Sequence, residues 1–260
     1  MLYGTERSWR KYWLLALLLA WALLLFGGFA LGTGGLPEHR MPTWTRMASS
    51  GALVALAWSQ WTFARRERSG SFALLLAVGV TFGLAGDLIL AGLLPGGRNV
   101  LAGIAAFGLG HVCYIGAVVR WSGRAGLDSA RARWTAVSAW LAVGAVAWYL
   151  VVFRGQEAGV LHWAALPYAL LLSGTAGVAT GLAVQARAYA PMAVGAALFL
   201  ASDLILAAQL FNDVDFRLIG DVIWLTYGPG QMLIVTAAGV ARRRSAAWRS
   251  GRIDPQPAKV

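Results

Sequence analysis

Eight apolar runs alternate along the chain with short polar stretches, at 13–31, 48–64, 72–94, 99–119, 134–153, 160–183, 190–211 and 217–240. Each is close to the roughly 20 residues that an α-helix needs to cross about 30 Å of hydrocarbon. The pattern predicts an all-α, polytopic membrane protein of eight transmembrane helices. Connections such as 95–98 and 212–216 are short, so consecutive helices pair as antiparallel hairpins. The run at 13–31 is too long for a signal peptide and no A-x-A site follows it, so it reads as the first span. The expected organisation is one helical domain over 1–241 and a flexible basic tail over 242–260, resting on anionic lipid.

Composition strengthens this picture: 58% of the 260 residues are hydrophobic and 13% charged, and the mean hydropathy is +0.62. A soluble domain carries about 25% charged residues. The 32 glycines suit helices that pack closely in lipid, where small residues let backbones approach. Cys113 is the single cysteine, so neither an intramolecular disulfide nor a cysteine-based metal site can be built.

Charge gives an orientation. Of the 22 Lys and Arg residues, all but Arg40, Arg46, Arg98, Arg154 and Arg217 fall in the segments on the N-terminal side of the spans. Positive charge marks the cytoplasmic side of short loops, so both termini are expected in the cytoplasm, as the even number of spans also requires. Trp9, Trp13, Trp121, Trp134 and Trp248 fall at the cytoplasmic edge, and Trp44, Trp163 and Trp224 at the other. The net charge of +11 is spread over loops and not gathered on one polar domain, so no nucleic-acid partner is expected.

The chain also repeats itself. Gly83-Leu84-Ala85-Gly86-Asp87-Leu88-Ile89-Leu90-Ala91 shares its frame with Phe199-Leu200-Ala201-Ser202-Asp203-Leu204-Ile205-Leu206-Ala207, and 24 residues beyond each aspartate stands a polar ring, His111 or Tyr227. The third and seventh spans run the same way, which implies a parallel four-plus-four repeat with both aspartates at one depth. At 1.5 Å per residue, Asp87 is expected about 20 Å from the cytoplasmic end of its helix and about 10 Å from the outer end.

These two aspartates are the chemistry-bearing residues. A carboxylate inside a span costs at least about 2.5–3.5 kcal/mol on insertion scales, so it usually faces a bundle interior and marks function. Asp221, at the outer end of the last span, reads as a solvated end residue; His162 reads as interfacial and His39 as a loop residue. His111 and Tyr114, three apart, share one helix face, as do Tyr227 and Gln231, four apart. Between the latter pair, Pro229 removes a helical hydrogen bond near residue 225 and predicts irregular backbone. No H-x-x-x-H, HExxH, G-x-S-x-G or Walker pattern occurs, so no metal or cofactor is expected.

Taken in order, Phe82-Gly83-Leu84-Ala85-Gly86-Asp87, Ala106-Phe107-Gly108-Leu109-Gly110-His111-Val112-Cys113-Tyr114, Leu198-Phe199-Leu200-Ala201-Ser202-Asp203, and Thr226-Tyr227 with Gln231 resemble the YhhN-like lysoplasmalogenases, eight-span membrane proteins. One departure is Pro229-Gly230, where the family usually has alanine before the glutamine. The resemblance implies an ether hydrolase of a bacterial cell membrane that cleaves the vinyl-ether bond of a lysoplasmalogen to a fatty aldehyde and a glycerophospho-alcohol, with a lysophospholipid and membrane lipids as partners. Asp87 and Asp203 would be catalytic, one protonating carbon and the other activating water. His111, Tyr114, Ser202, Tyr227 and Gln231 would bind substrate or water. Two other classes pair acids in membranes: intramembrane aspartyl proteases, to whose Gly-Leu-Gly-Asp the stretch from Gly83 to Asp87 is similar, and proton-coupled transporters.

Overall fold

The computed structural model describes residues 2–33, 39–155 and 159–251. Eight helical rods make up these residues. They are α1 (Leu2–Ala22, continued by a π turn at Leu23–Gly27 and by Gly28–Leu31), α2 (Thr43–Ala64), α3 (Gly70–Leu90), α4 (Val100–Arg124), α5 (Ala130–Ala147, ending in a π segment Trp148–Phe153), α6 (Val160–Gln185), α7 (Ala190–Asn212) and α8 (Ile219–Arg249). Six of them, over Ser8–Leu31, Gly70–Leu90, Val100–Arg124, Ala130–Phe153, Val160–Gln185 and Arg187–Asn212, are long and apolar enough to cross a membrane. The two that fall short are α2 and α8. Thr45, Arg46, Ser49, Ser50 and Gln60 lower the hydropathy of α2, and Asp221, Tyr227 and Gln231 interrupt α8. Nearly all of these side chains are buried, so the two least apolar helices turn their polar face inward.

Burial is inverted relative to a soluble protein. Leu15, Leu19, Leu23, Leu109, Val112, Val143, Val146 and Leu150 are exposed on the helix surfaces, while Ser50, Gln60, Asp87, His111, Thr175, Ser202, Asp221 and Gln231 are buried. Trp9, Trp13, Trp44, Trp134 and Trp163 are exposed, as edge residues are, but Trp121 is fully buried and donates its indole N–H to the Tyr189 hydroxyl at 2.6 Å.

The hairpins α3/α4, α5/α6 and α7/α8 pack most closely, and α2 lies against α8 as α4 lies against α6. Glycines make the tightest crossings. A Cβ on Gly110 would lie 2.9 Å from the Gly79 carbonyl oxygen, and one on Gly195 would lie 2.6 Å from that of Gly230. Gly79 and Gly195 each stand eight residues before their aspartate.

Three expectations about helix ends change. α3 stops at Leu90, so Asp87 lies about 5 Å from its end and not about 10 Å. Leu93 and Leu94 extend the apolar run but not the helix. Gly92, at φ 70°, closes it, with the Gly92 N–H on the Ile89 carbonyl and the Leu93 N–H on the Leu88 carbonyl, the Schellman pattern. α8 continues through Pro229 as one helix and on to Arg249, so residues 242–249, expected as the start of the tail, are helical. There Arg244 donates to the Ala125 carbonyl at 3.2 Å and Arg249 pairs with Glu67 at 3.3 Å; residues 252–260 lie outside the described residues.

Asp221 is not solvated. It is fully buried and accepts the backbone N–H groups of Arg40 at 2.5 Å and Met41 at 3.1 Å, with His39 Nδ1 at 3.7 Å. It thereby ties the segment entering α2 to the first turn of α8. Asp221→Ala is expected to lower stability by about 1–3 kcal/mol, the cost of leaving buried donors unpaired. Thermal unfolding in detergent measures this.

Candidate active site

Antiparallel hairpins bring the ends of α1, α3, α5 and α7 and the starts of α2, α4, α6 and α8 to the end of the bundle away from the described termini. A cavity of about 620 Å³ opens there. Asp87 and Asp203 both line it, together with Tyr168 and Tyr227. Leu90, Ile104, Phe107, Leu172, Leu200 and Leu204 give it apolar walls, and His39, Arg46 and Arg98 lie on the same lining.

Asp87 sits at the centre of a polar chain built by three other helices. Its Oδ2 accepts the hydroxyls of Ser50 on α2 at 2.6 Å and Tyr227 on α8 at 3.0 Å. One turn along α8, Gln231 donates its Nε2 to the Tyr227 oxygen at 3.2 Å, and its Oε1 accepts the Tyr114 hydroxyl from α4 at 2.7 Å. With the amide hydrogen on its oxygen, Tyr227 has its own hydrogen free for Asp87. Tyr114 and Gln231 are buried behind Tyr227 and do not reach the cavity lining; they orient the group that does.

Asp203 is held differently. Tyr168 on α6 donates its hydroxyl to Oδ2, and the neighbouring Ser202 hydroxyl lies 3.1 Å from Oδ1 and 2.7 Å from the Phe199 carbonyl. The parallel with Asp87 is partial: each aspartate meets a hydroxyl from the preceding helix, Ser50 on α2 or Tyr168 on α6. The two carboxyl groups face one cavity.

His111 joins neither aspartate directly. Its ring stacks edge-on against Phe199, with centroids 4.5 Å apart, and meets Tyr114 and Tyr168. Its Nδ1 lies 2.9 Å from the Thr175 hydroxyl, which itself donates to the Leu171 carbonyl at 3.0 Å. Thr175 has only one hydrogen, so Nδ1 carries the proton of this contact. Nε2 is buried with no hydrogen-bond partner among the described residues. His162, expected at an interface, is buried among Trp148, Phe153, Trp163 and Phe211, and no group of three His, Cys, Asp or Glu among the described residues gathers as a metal site would.

Of the residues expected to act, the structure thus brings Asp87, Asp203 and Tyr227 to the cavity wall, links Gln231 and Tyr114 to them by hydrogen bonds, sets Ser202 against Asp203, and leaves His111 without a hydrogen bond to either carboxylate. Sequence reasoning passed over Ser50, Tyr168, Arg46 and Arg98. Ser49-Ser50 inside an apolar run, and a tyrosine directly after Pro167 in another, were the available signals. A lone hydroxyl in a span is so often satisfied by its own helix that neither pointed to a carboxylate.

A bundle of helices apolar outside and polar within, enclosing two carboxylates at one cavity, is a membrane protein with a buried acid site. The chain belongs to the YhhN family, whose family model matches residues 41–238. That match begins at the loop tied down by Asp221 and covers both aspartates and every residue hydrogen-bonded to them. No curated protein and no solved structure matches the chain.

Proposed function

We propose that this protein is a membrane-embedded hydrolase that cleaves the vinyl-ether bond of a lysoplasmalogen or a closely related lysolipid, the activity that membership of the YhhN family suggests. The observation that carries this reading is that Asp87 and Asp203 line one cavity whose remaining wall is largely hydrocarbon. A single-chain amphiphile fits such a space, with its tail along the leucines and its polar end toward the arginines. All eight helices cross the membrane in this reading, with both termini in the cytoplasm and the cavity toward the outer face. The matched glycine crossings at Gly79 and Gly195 support a four-plus-four repeat.

Vinyl ethers resist base and cleave when carbon is protonated, so the site needs one neutral carboxylic acid beside one carboxylate. Ser202 donates to the Phe199 carbonyl at 2.7 Å and makes only the longer 3.1 Å contact with Asp203 Oδ1, so among the described residues Tyr168 is the one close hydroxyl donor to Asp203, a set that supports its anion less than the donors of Asp87 support theirs. Asp87 instead accepts two hydroxyls on Oδ2, and Arg46 stands one turn from its partner Ser50 on α2; two donated hydrogen bonds and a cation on the same lining favour the anion. Asp203 is therefore the acid. Its proton goes to the alkene carbon remote from oxygen, leaving an oxocarbenium ion. Water adds to the carbon bearing the ether oxygen while Asp87 takes a water proton, which gives a hemiacetal. As the hemiacetal hydroxyl returns its proton to Asp203, the bond to the glycerol oxygen breaks and that oxygen takes the proton held on Asp87. Aldehyde and alcohol leave, and both carboxyl groups are back in their starting states.

Purified protein in detergent, offered a 1-alkenyl lysophospholipid, is expected to release one fatty aldehyde per glycerophospho-alcohol. The 1-alkyl analogue, which lacks the double bond that must be protonated, is expected to be inert. Absence of aldehyde, together with proton-gradient-driven uptake of a solute in proteoliposomes, would replace this reading with a transporter.

A further inference from the structure

We infer that Arg46 and Arg98 form a binding site for the phosphate of the lysolipid head group at the outer mouth of the cavity. This deepens the function proposed above and rests on it for the identity of the tail.

The charge pattern singles these residues out. Only five of the 22 basic residues fall at this end of the chain's topology, where positive charge is disfavoured in a membrane protein, and two of the five line the cavity that holds the aspartates. Arg46 is built in. Its Nη1 lies 3.1 Å from His39 Nε2, its Nη2 donates to the Thr43 hydroxyl at 3.0 Å, and its guanidinium stands 5.7 Å from the Trp224 ring centroid. Its Nε is buried without a partner among the described residues. Asp221, a carboxylate at this end, already accepts two backbone N–H groups and lies against His39, and among the described residues no carboxylate takes a hydrogen bond from Arg46. Arg98 sits on the exposed loop between α3 and α4. No acidic partner for it occurs among the described residues.

Spacing supplies the second argument. Arg46 and Ser50 are four residues apart on α2, so they share a face with Arg46 about 6 Å farther toward the helix end. Ser50 holds Asp87 at 2.6 Å. In a 1-alkenyl lysophospholipid the extended glycerol separates the ether oxygen from phosphorus by about 6 Å, given bonds of about 1.5 Å. An ether oxygen at the depth of Asp87 thus carries its phosphate to the depth of Arg46. Planar guanidinium groups suit phosphate oxygens, which they bind with two hydrogen bonds. The water-soluble product would then leave by the outer mouth and the aldehyde through the apolar walls.

The test is a binding measurement on full-length protein in detergent with ligands that cannot be hydrolysed: a saturated 1-alkyl lysophospholipid, the matching 1-alkylglycerol without phosphate, and glycerol 3-phosphate without a tail. Wild type is expected to bind the lysophospholipid about tenfold or more tightly than the alkylglycerol, as charge-assisted bonds to phosphate imply. Arg46→Gln should remove most of that advantage and Arg98→Gln about threefold of it, as an exposed contact does, with alkylglycerol affinity unchanged in both. Arg46→Lys should keep part of it. Equal affinity for the two lipids in wild type, or an advantage untouched by both glutamine variants, overturns the site. Binding of glycerol 3-phosphate as tight as that of the lysophospholipid overturns the lipid assignment in favour of a soluble anion. Because none of these ligands has a vinyl ether, the result is independent of turnover: phosphate-dependent binding without aldehyde release would refute the hydrolase and leave the head-group site standing.

Discussion

Asp203→Asn is expected to lower kcat for aldehyde release by about 10²–10⁴-fold, the range that a positioned general acid contributes. The substitution isolates the proton. An asparagine can accept the Tyr168 hydroxyl on its oxygen, as Asp203 does, and its amide can donate to the Ser202 oxygen while Ser202 keeps its hydrogen bond to the Phe199 carbonyl. Packing and the binding of a saturated 1-alkyl lysophospholipid should therefore survive, and the loss should fall on kcat. Asp87→Asn removes the base and should lose activity over the same range, its oxygen still accepting Ser50 and Tyr227. The two losses should not add, because each carboxyl group works only with the other. If both variants turn over at the wild-type rate, the carboxylate pair is not the catalyst and the cavity serves another purpose.

Gly195→Leu is expected to separate α7 from α8 and to cost both stability and activity. A Cβ at this position would stand 2.6 Å from the Gly230 carbonyl oxygen, 2.7 Å from the Leu233 Cβ and 3.1 Å from the Ile234 nitrogen. Two of these three atoms are backbone and cannot rotate aside. Overpacking of this kind costs about 1–3 kcal/mol, read as a lowered midpoint of thermal unfolding in detergent. The same displacement shifts Asp203 on α7 relative to Tyr227 on α8, so turnover should fall even in the fraction that remains folded. Gly123→Leu is the matched control. Nothing stands within 4 Å of its Cβ position, and its unfolding midpoint should stay near wild type. An unchanged midpoint in Gly195→Leu would mean that the two helices do not cross at this glycine.

Much of the helical layout was legible because apolar runs report directly on what a helix shows to lipid. The apolar runs at 72–94 and 190–211 correspond to α3 and α7, and the tyrosine–glutamine pair on α8 is on one face as its spacing of four requires. Helix ends were less legible. Leu93 and Leu94 look like more span, yet Gly92 adopts a left-handed backbone that ends α3 close to Asp87, and Pro229, a helix breaker by type, is tolerated inside α8.

By itself the sequence determined the all-helical class, the two aspartates as the unusual residues, and the small and polar residues around them, because each of these follows from the cost of placing a given side chain in an apolar run. Only the tertiary structure decided which partners those residues have. Ser50 on α2, Tyr168 on α6 and Tyr227 on α8 reach the aspartates across helix boundaries, Asp221 is buried under the Arg40–Met41 backbone instead of solvated, and Arg46 turns into the cavity. Hydrogen bonds between helices depend on crossing angles and rotation about each helix axis. Those are set by glycine contacts such as Gly195 on Gly230, which no local pattern encodes.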